Sequence, residues 1–247
     1  MSRLSVSIPV ADMRTSADHR SERVSQALYG HLVTTLEASG DFVLCEADDG
    51  YRGWIGRSYL APAPQGMNNL CIVTSLFAVF DRENTSGRLT LPYGARIVSG
   101  GGDLFYDLDG AELTLIFGRV NIEEAVSLNV ALAEAHAFVS VPYLWGGAST
   151  FGFDCSGFTQ AIYRRAGVKL PRDSKDQAMV GREIALAESL SGDLIFFPGH
   201  VAIHLGQRMI LHSSRLRGMI AIDSLDAEHP QYRADLDGKV TGVRRVI

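Results

Sequence analysis

Cys155 stands in the run Phe153-Asp154-Cys155-Ser156-Gly157-Phe158, directly ahead of a stretch in which Phe158, Ile162 and Ala166 recur at helical spacing, with Gly167 as the stop. A thiol at the start of a helix meets unpaired N–H groups and the positive end of the helix dipole. Both favour an anion, so the spacing predicts a thiol of lowered pKa, and the thiolate is the form that attacks. The same N–H groups can hold the oxyanion formed when an amide carbonyl is attacked. Ser156 and Gly157 are small enough to let a substrate approach. Taken alone, the hexapeptide fits a small buried apolar cysteine equally well. Cys45 and Cys71 lie among strand-like residues, where packing accounts for them.

A nucleophilic cysteine needs a base within hydrogen-bond reach and a group that orients the base. His200 follows Pro198-Gly199 and opens the strand-like run Val201–Leu205, and His212 closes Met209-Ile210-Leu211. Two antiparallel strands joined at Gly206-Gln207-Arg208 would bring these ends together, which predicts His200 as base and His212 as its orienting partner. His204 shares the face parity of His200. His19, His31, His136 and His229 have no supporting context. There is no HExxH, no CxxC and no Cys/His cluster, so neither a metal nor a cofactor is expected.

The elements that must position these residues change character near Asn121. Before it, short apolar runs such as Leu32-Val33-Thr34-Thr35-Leu36, Phe42-Val43-Leu44 and Gly53-Trp54-Ile55 alternate with turn signals such as Ser39-Gly40-Asp41 and Asp48-Asp49-Gly50. That spacing predicts small β-barrels. The pattern occurs twice: Gln26-Ala27-Leu28-Tyr29-Gly30 and Leu91-Pro92-Tyr93-Gly94-Ala95 each precede a strand-like run. Two barrels are expected, over 5–65 and 70–120, joined by a linker at Ala61-Pro62-Ala63-Pro64-Gln65-Gly66. From 121 to 247 a third domain is expected. Its first helix would be capped by Asn121, with Glu123 and Glu124 in the first turn and Ala125, Leu128, Leu132 and Ala135 on one face. Strands follow the second helix, so the fold class is α+β.

Composition narrows the partners. The chain of 247 residues carries a formal net charge of -5, which disfavours a nucleic-acid partner or a polybasic membrane anchor. Three cysteines without an evident pairing suit a reducing compartment. The first residues lack the apolar core of a signal peptide, and no run is long enough to span a membrane. A cytoplasmic location is the expectation.

Five segments taken in order resemble the NlpC/P60 peptidases: Pro142-Tyr143-Leu144-Trp145-Gly146-Gly147, Asp154-Cys155-Ser156-Gly157-Phe158, Pro171-Arg172-Asp173-Ser174, Gly192-Asp193-Leu194-Ile195-Phe196-Phe197 and Gly199-His200-Val201-Ala202-Ile203. The resemblance implies a papain-like α+β core that hydrolyses the bond between γ-D-glutamate and a diamino acid in murein peptides. It implies Cys155 as nucleophile, His200 as base and then acid, and His212 as third member. It places Tyr143, Asp154, Ser156, Arg172 and Ser174 near the substrate. Asp154 would meet an ammonium, and Arg172 would meet a carboxylate or support Asp154. Ser140 stands where such sequences often have Gly. The N-terminal part resembles bacterial SH3 domains through Val10-Ala11-Asp12-Met13-Arg14, Ser25-Gln26 with Gly30, and Asp49-Gly50-Tyr51-Arg52-Gly53-Trp54-Ile55. A second copy, Ser75 to Ile116, has Asp109-Gly110 and Leu113 where the first has Tyr-x-Gly-Trp. Where such domains accompany this core, the first often walls the cleft and selects peptides with a free N-terminal L-alanine. Glu22 and Tyr51 are the candidates for that wall. The expected function is thus a thiol protease of murein peptide recycling. An exported endopeptidase of intact wall, or a wall-binding protein without catalysis, are the alternatives.

Overall fold

The structure, a computed structural model, describes residues 2–63, 69–83 and 87–247. Pro64, Gln65 and Gly66 of the expected linker lie outside the described residues. The chain divides into two compact units, Met1–Glu124 and Ala125–Ile247.

The alternating patterns of the first unit fold into two sheets. Strands β1 (Arg3–Val6), β2 (Val10–Arg14), β3 (Arg23–Leu28), β4 (Leu32–Ser39), β5 (Phe42–Glu46), β6 (Arg52–Gly56) and β7 (Leu60–Pro62) pair in the order β3-β2-β6-β5-β4-β1-β7. Strands β8 (Leu70–Val73), β9 (Phe77–Arg82), β10 (Arg88–Pro92), β11 (Arg96–Gly101), β12 (Leu104–Tyr106), β13 (Glu112–Phe117) and β14 (Val120–Ile122) pair as β10-β9-β13-β12-β11-β8-β14. The second order is the first with every strand advanced by seven. The repeat extends to the turns. Gly30 (φ 76°) and Gly94 (φ 81°) occupy matching left-handed positions, favoured by glycine, and bond to Val6 O and Val73 O at 2.9 Å each. Gly50 and Gly110 likewise close the β5–β6 and β12–β13 turns. Inward residues such as Val6, Ala11, Met13 and Ile55 form one core, and Val73, Phe80, Leu91 and Ile97 another, which Leu28 and Tyr29 also enter.

Two boundary expectations are corrected. Ala61 and Pro62 are not linker: they belong to β7 and pair with Ser5 and Leu4. Asn121 does not cap a helix. It lies in β14 opposite Ile72, and its side chain donates to Thr74 Oγ1 at 2.8 Å. Glu123 faces Arg96 at 2.8 Å rather than a helix dipole. The competing sheet hydrogen bonds of β14 outweigh the local capping signal.

In the second unit the first helix, α1 (Leu128–Ala135), is capped by Ser127, whose hydroxyl accepts from Val130 N. Then come β15 (Ala148–Ser149), β16 (Gly152–Phe153), α2 (Cys155–Arg165), α3 (Ser174–Gln177), β17 (Arg182–Glu183), β18 (Leu194–Phe197), β19 (His200–Gly206), β20 (Met209–Ser214), β21 (Met219–Ser224) and β22 (Gly242–Arg245). The antiparallel sheet runs β17-β22-β18-β19-β20-β21, and α2 packs against β19 and β20. The expected α+β character is confined to this unit, because the first is built from strands. α2 stops as expected, with Gly167 at φ 78°. Ser140, at the place where Gly was expected, has φ 75° and donates its N–H to Ile220 O at 2.9 Å. That is a left-handed position, which explains the preference for Gly there.

Candidate active site

Cys155 is the first residue of α2, and Asp154 is its N-cap. The Asp154 carboxylate accepts from Gly157 N at 2.7 Å and Gly146 N at 3.0 Å. It also receives both arms of Arg172, Nη1 at 3.0 Å and Nη2 at 2.6 Å. Ser156 Oγ donates to Asp154 at 3.3 Å and accepts from Arg172 Nη1 at 2.9 Å. Such a forked pair fixes direction as well as charge. The loop carrying Arg172 is held to α2 by Gln177, which donates to Ser156 O and Pro171 O and meets Thr159 Oγ1 at 2.8 Å.

Asp154, Ser156 and Arg172 are therefore together, but buried and turned toward one another. Arg172 takes the supporting one of its two expected roles; it is not presented to a substrate carboxylate, since its side chain is 1% exposed. Asp154 is likewise committed to α2 rather than free for an ammonium. Ser174 opens α3 and is half-buried.

Gly157 also has a different task from the one expected. A Cβ there would lie 2.2 Å from Gly147 O, so its bareness lets α2 close on the 144–147 turn rather than admitting a substrate. Gly157→Ala is expected to cost about 1–3 kcal/mol through overpacking, read as a lowered denaturation midpoint at unchanged denaturant slope.

His200 opens β19 and His212 lies on β20. The register Ile203↔Leu211 sets them diagonally on one face, and His200 Nε2 meets His212 Nδ1 at 2.7 Å with ring centroids 4.9 Å apart. Cys155, His200, His212 and Tyr143 line one cleft of about 530 Å³ with Trp145 and Arg215. Tyr143 is set there by its N–H bond to Gly218 O at 2.7 Å. His204, the parity decoy, turns to Leu190 O instead.

The expected lowering of the thiol pKa is not found. Burial pushes the Cys155 thiol up and Asp154 adds to this, against the N–H groups of Val201 and Ser156 and the charge of Arg172. The anionic cap offsets the helix dipole at the very residue that was to benefit from it. Burial takes His200 down to about 3, helped by the fields of His212 and Arg233. His212 is also lowered, by burial first, against Asp223. All three shifts thus favour the uncharged forms, a neutral thiol and neutral imidazoles.

Sequence reasoning overlooked Asp223, a fully buried carboxylate whose Oδ2 lies 3.0 Å from His212 Nε2. Its visible signal was one acid directly after the apolar run Met219-Ile220-Ala221-Ile222. Glu22 and Tyr51 belong to the first unit. The pairing Arg14↔Trp54 sets the end of β2 beside the start of β6, so the loops carrying them leave that sheet at the same end. Tyr51 is half-buried and Glu22 exposed. Among the described residues no cluster of His, Cys, Asp and Glu could hold a metal ion, and no helix is long and apolar enough to cross a membrane.

The chain is similar to known proteins in both units. Residues 140–237 match the family model for the NlpC/P60 family, and residues 9–61 match that for the bacterial SH3 domain. Dipeptidyl-peptidase 6 of Lysinibacillus sphaericus is 39% identical over 122 residues, covering 49% of this chain and 45% of that protein. Gamma-D-glutamyl-L-lysine dipeptidyl-peptidase of Bacillus subtilis is 42% identical over 96 residues, 36% of this chain and 32% of the relative. The chain thus spans less than half the length of these curated relatives. An NlpC/P60 family protein from Bacillus cereus superposes with a TM-score of 0.85 at 24% identity, over 99% of both chains, which speaks for the fold. The chain thus carries an NlpC/P60 domain, around Cys155 and the two histidines, with a bacterial SH3 domain before it.

Proposed function

We propose that this chain is a cysteine peptidase of murein peptides. Cys155 attacks the carbonyl, His200 takes its proton and later gives it to the leaving amine, and His212 orients His200. The observation that carries the reading is the meeting of a helix-start cysteine and a hydrogen-bonded His200–His212 pair in one cleft. In this reading the second unit is a papain-like α+β core. Both sheets of the first unit are SH3-like, the second supported by its identical strand order.

The bond cut is that between γ-D-glutamate and a diamino acid. The name of the Bacillus subtilis relative supports this, and the term dipeptidyl-peptidase in both names supports release of a dipeptide, whose free N-terminal residue is L-alanine in this reading. Tyr143 is the core residue best placed to touch the peptide, since it lines the cleft. Ser174 would lie toward the substrate from α3, with Asp154, Ser156 and Arg172 acting from behind. Glu22 and Tyr51 would recognise the free amine. A free ammonium needs acidic and polar partners, and a blocked amine loses them. The role is recycling of murein fragments.

The test compares L-Ala-γ-D-Glu-diaminopimelate with the same peptide acetylated at its N-terminus. Cleavage of the free peptide at a kcat/KM at least about 100-fold higher is expected, the size of a lost charged contact. Equal cleavage of both overturns the N-terminal specificity and the recycling role.

A further inference from the structure

His200, His212 and Asp223 sit on three consecutive strands. His212 is opposite Ala221 and Ile210 is opposite Asp223, so Asp223 lies on the same face as His212, one diagonal further across the sheet. The three side chains form a chain of two hydrogen bonds, 2.7 Å from His200 Nε2 to His212 Nδ1 and 3.0 Å from His212 Nε2 to Asp223 Oδ2.

The end of this chain has only one possible polarity. Asp223 is fully buried and receives Arg233 Nη1 at 2.6 Å on Oδ2 and Arg217 Nε at 2.8 Å on Oδ1. Burial alone would raise its pKa, but the bonds from His212, Arg217 and Arg233 outweigh it and hold the carboxyl well below the carboxylate range. An ionised carboxylate accepts and never donates. His212 must therefore carry its proton on Nε2. A neutral His212 then has a bare Nδ1, which can only accept, so His200 must carry its proton on Nε2. Nδ1 of His200 is left with its lone pair.

We infer that Asp223 is a positioning residue that, through His212, fixes His200 in the tautomer whose Nδ1 is free to take the Cys155 proton. The inference rests on the proposed peptidase reading, which assigns His200 as base. Asp223 touches no substrate. Arg217 and Arg233 balance most of its charge, and Arg233 is itself shared with Asp235 at 2.7 Å. Its contribution is therefore orientation and tautomer rather than a strong field on His200. An Asn at the same place offers the His212 ring either a carbonyl or an amide, and so frees the tautomer.

The first test is 15N–1H NMR of the histidine rings in the wild-type chain at neutral pH. Both His212 and His200 are expected as Nε2–H tautomers, and an Nδ1–H tautomer at either overturns the inference. This needs no variant to fold and no turnover, so it stands or falls separately from the peptidase reading. The second test is a double-mutant cycle on hydrolysis of L-Ala-γ-D-Glu-diaminopimelate. Asp223→Asn is expected to lower kcat by about 10²–10⁴-fold with little change in KM, as when a triad carboxylate becomes an amide. In a His212→Asn background, where no tautomer remains to be set, the same change is expected to cost less than about threefold. Equal losses in both backgrounds would mean that Asp223 serves only to neutralise Arg217 and Arg233, and would overturn its action through His212. Failure of Cys155→Ala to lose activity would sink the peptidase reading and leave the tautomer result untouched.

Discussion

Cys155→Ala is expected to abolish peptide hydrolysis, by about 10⁴-fold or more in kcat, while the chain stays folded. The reason is local. Among the described residues that line the cleft Cys155 is the one thiol; Cys45 and Cys71 are buried in the first unit, and burial alone pushes Cys45 up to about 11. The substitution removes one sulfur atom from a residue that is 9% exposed, and leaves the Asp154 cap and its bonds to Gly146 and Gly157 untouched. The cavity term for one atom is about 1 kcal/mol. Release of the diamino acid, followed by chromatography beside a thermal melt, separates the two effects. Cys45→Ala and Cys71→Ala should keep full activity. Retained hydrolysis in Cys155→Ala would remove the nucleophile assignment.

Arg172→Gln is expected to cost about 3–5 kcal/mol of stability. It leaves Asp154 buried with its charge and without its cation. Two backbone N–H groups and one hydroxyl remain as donors, too few to replace a forked guanidinium. Because Asp154 caps the helix that presents Cys155, kcat should fall as well, even below the melting range. Removing both charges at once, with Asp154→Asn and Arg172→Met, is expected to destabilise less than Arg172→Gln alone, since no orphan charge is then buried. Denaturant midpoints measure this. A role in holding a substrate carboxylate would instead raise KM with stability unchanged, and that outcome would restore the reading of Arg172 that its burial argues against.

Much of this site was legible before any coordinates. Cys155 could be placed at a helix start because Phe158, Ile162 and Gly167 mark the period and stop of α2, and helical periodicity is a local property. His200 and His212 could be paired because the Gly206-Gln207-Arg208 turn fixes which strand ends meet; the structure bears out their proximity at 2.7 Å. The repeat in the first unit showed itself in Tyr29-Gly30 and Tyr93-Gly94, since left-handed turns favour glycine.

What failed were readings that weighed a local signal against partners far along the chain. Asn121 has the chemistry of a cap, yet β8, nearly fifty residues earlier, claims its backbone. Asp154 looked like a charge for a substrate ammonium, but a gap of 18 residues closes it into a buried pair with Arg172, whose supporting role was one of the two expected. The thiol was expected to be acidified by its helix, and burial first, then the cap of that same helix, opposes it.

The sequence by itself determined the NlpC/P60 domain, most of the order of elements and which Cys and His residues are the candidates, because motif order and short-range periodicity are written along the chain. Tertiary structure alone decided which charges are spent on holding α2, and that Asp223 stands behind His212. Burial and cross-strand register are properties of the packed sheet, and a lone acid in an apolar strand acquires its meaning only from what the next strand sets beside it.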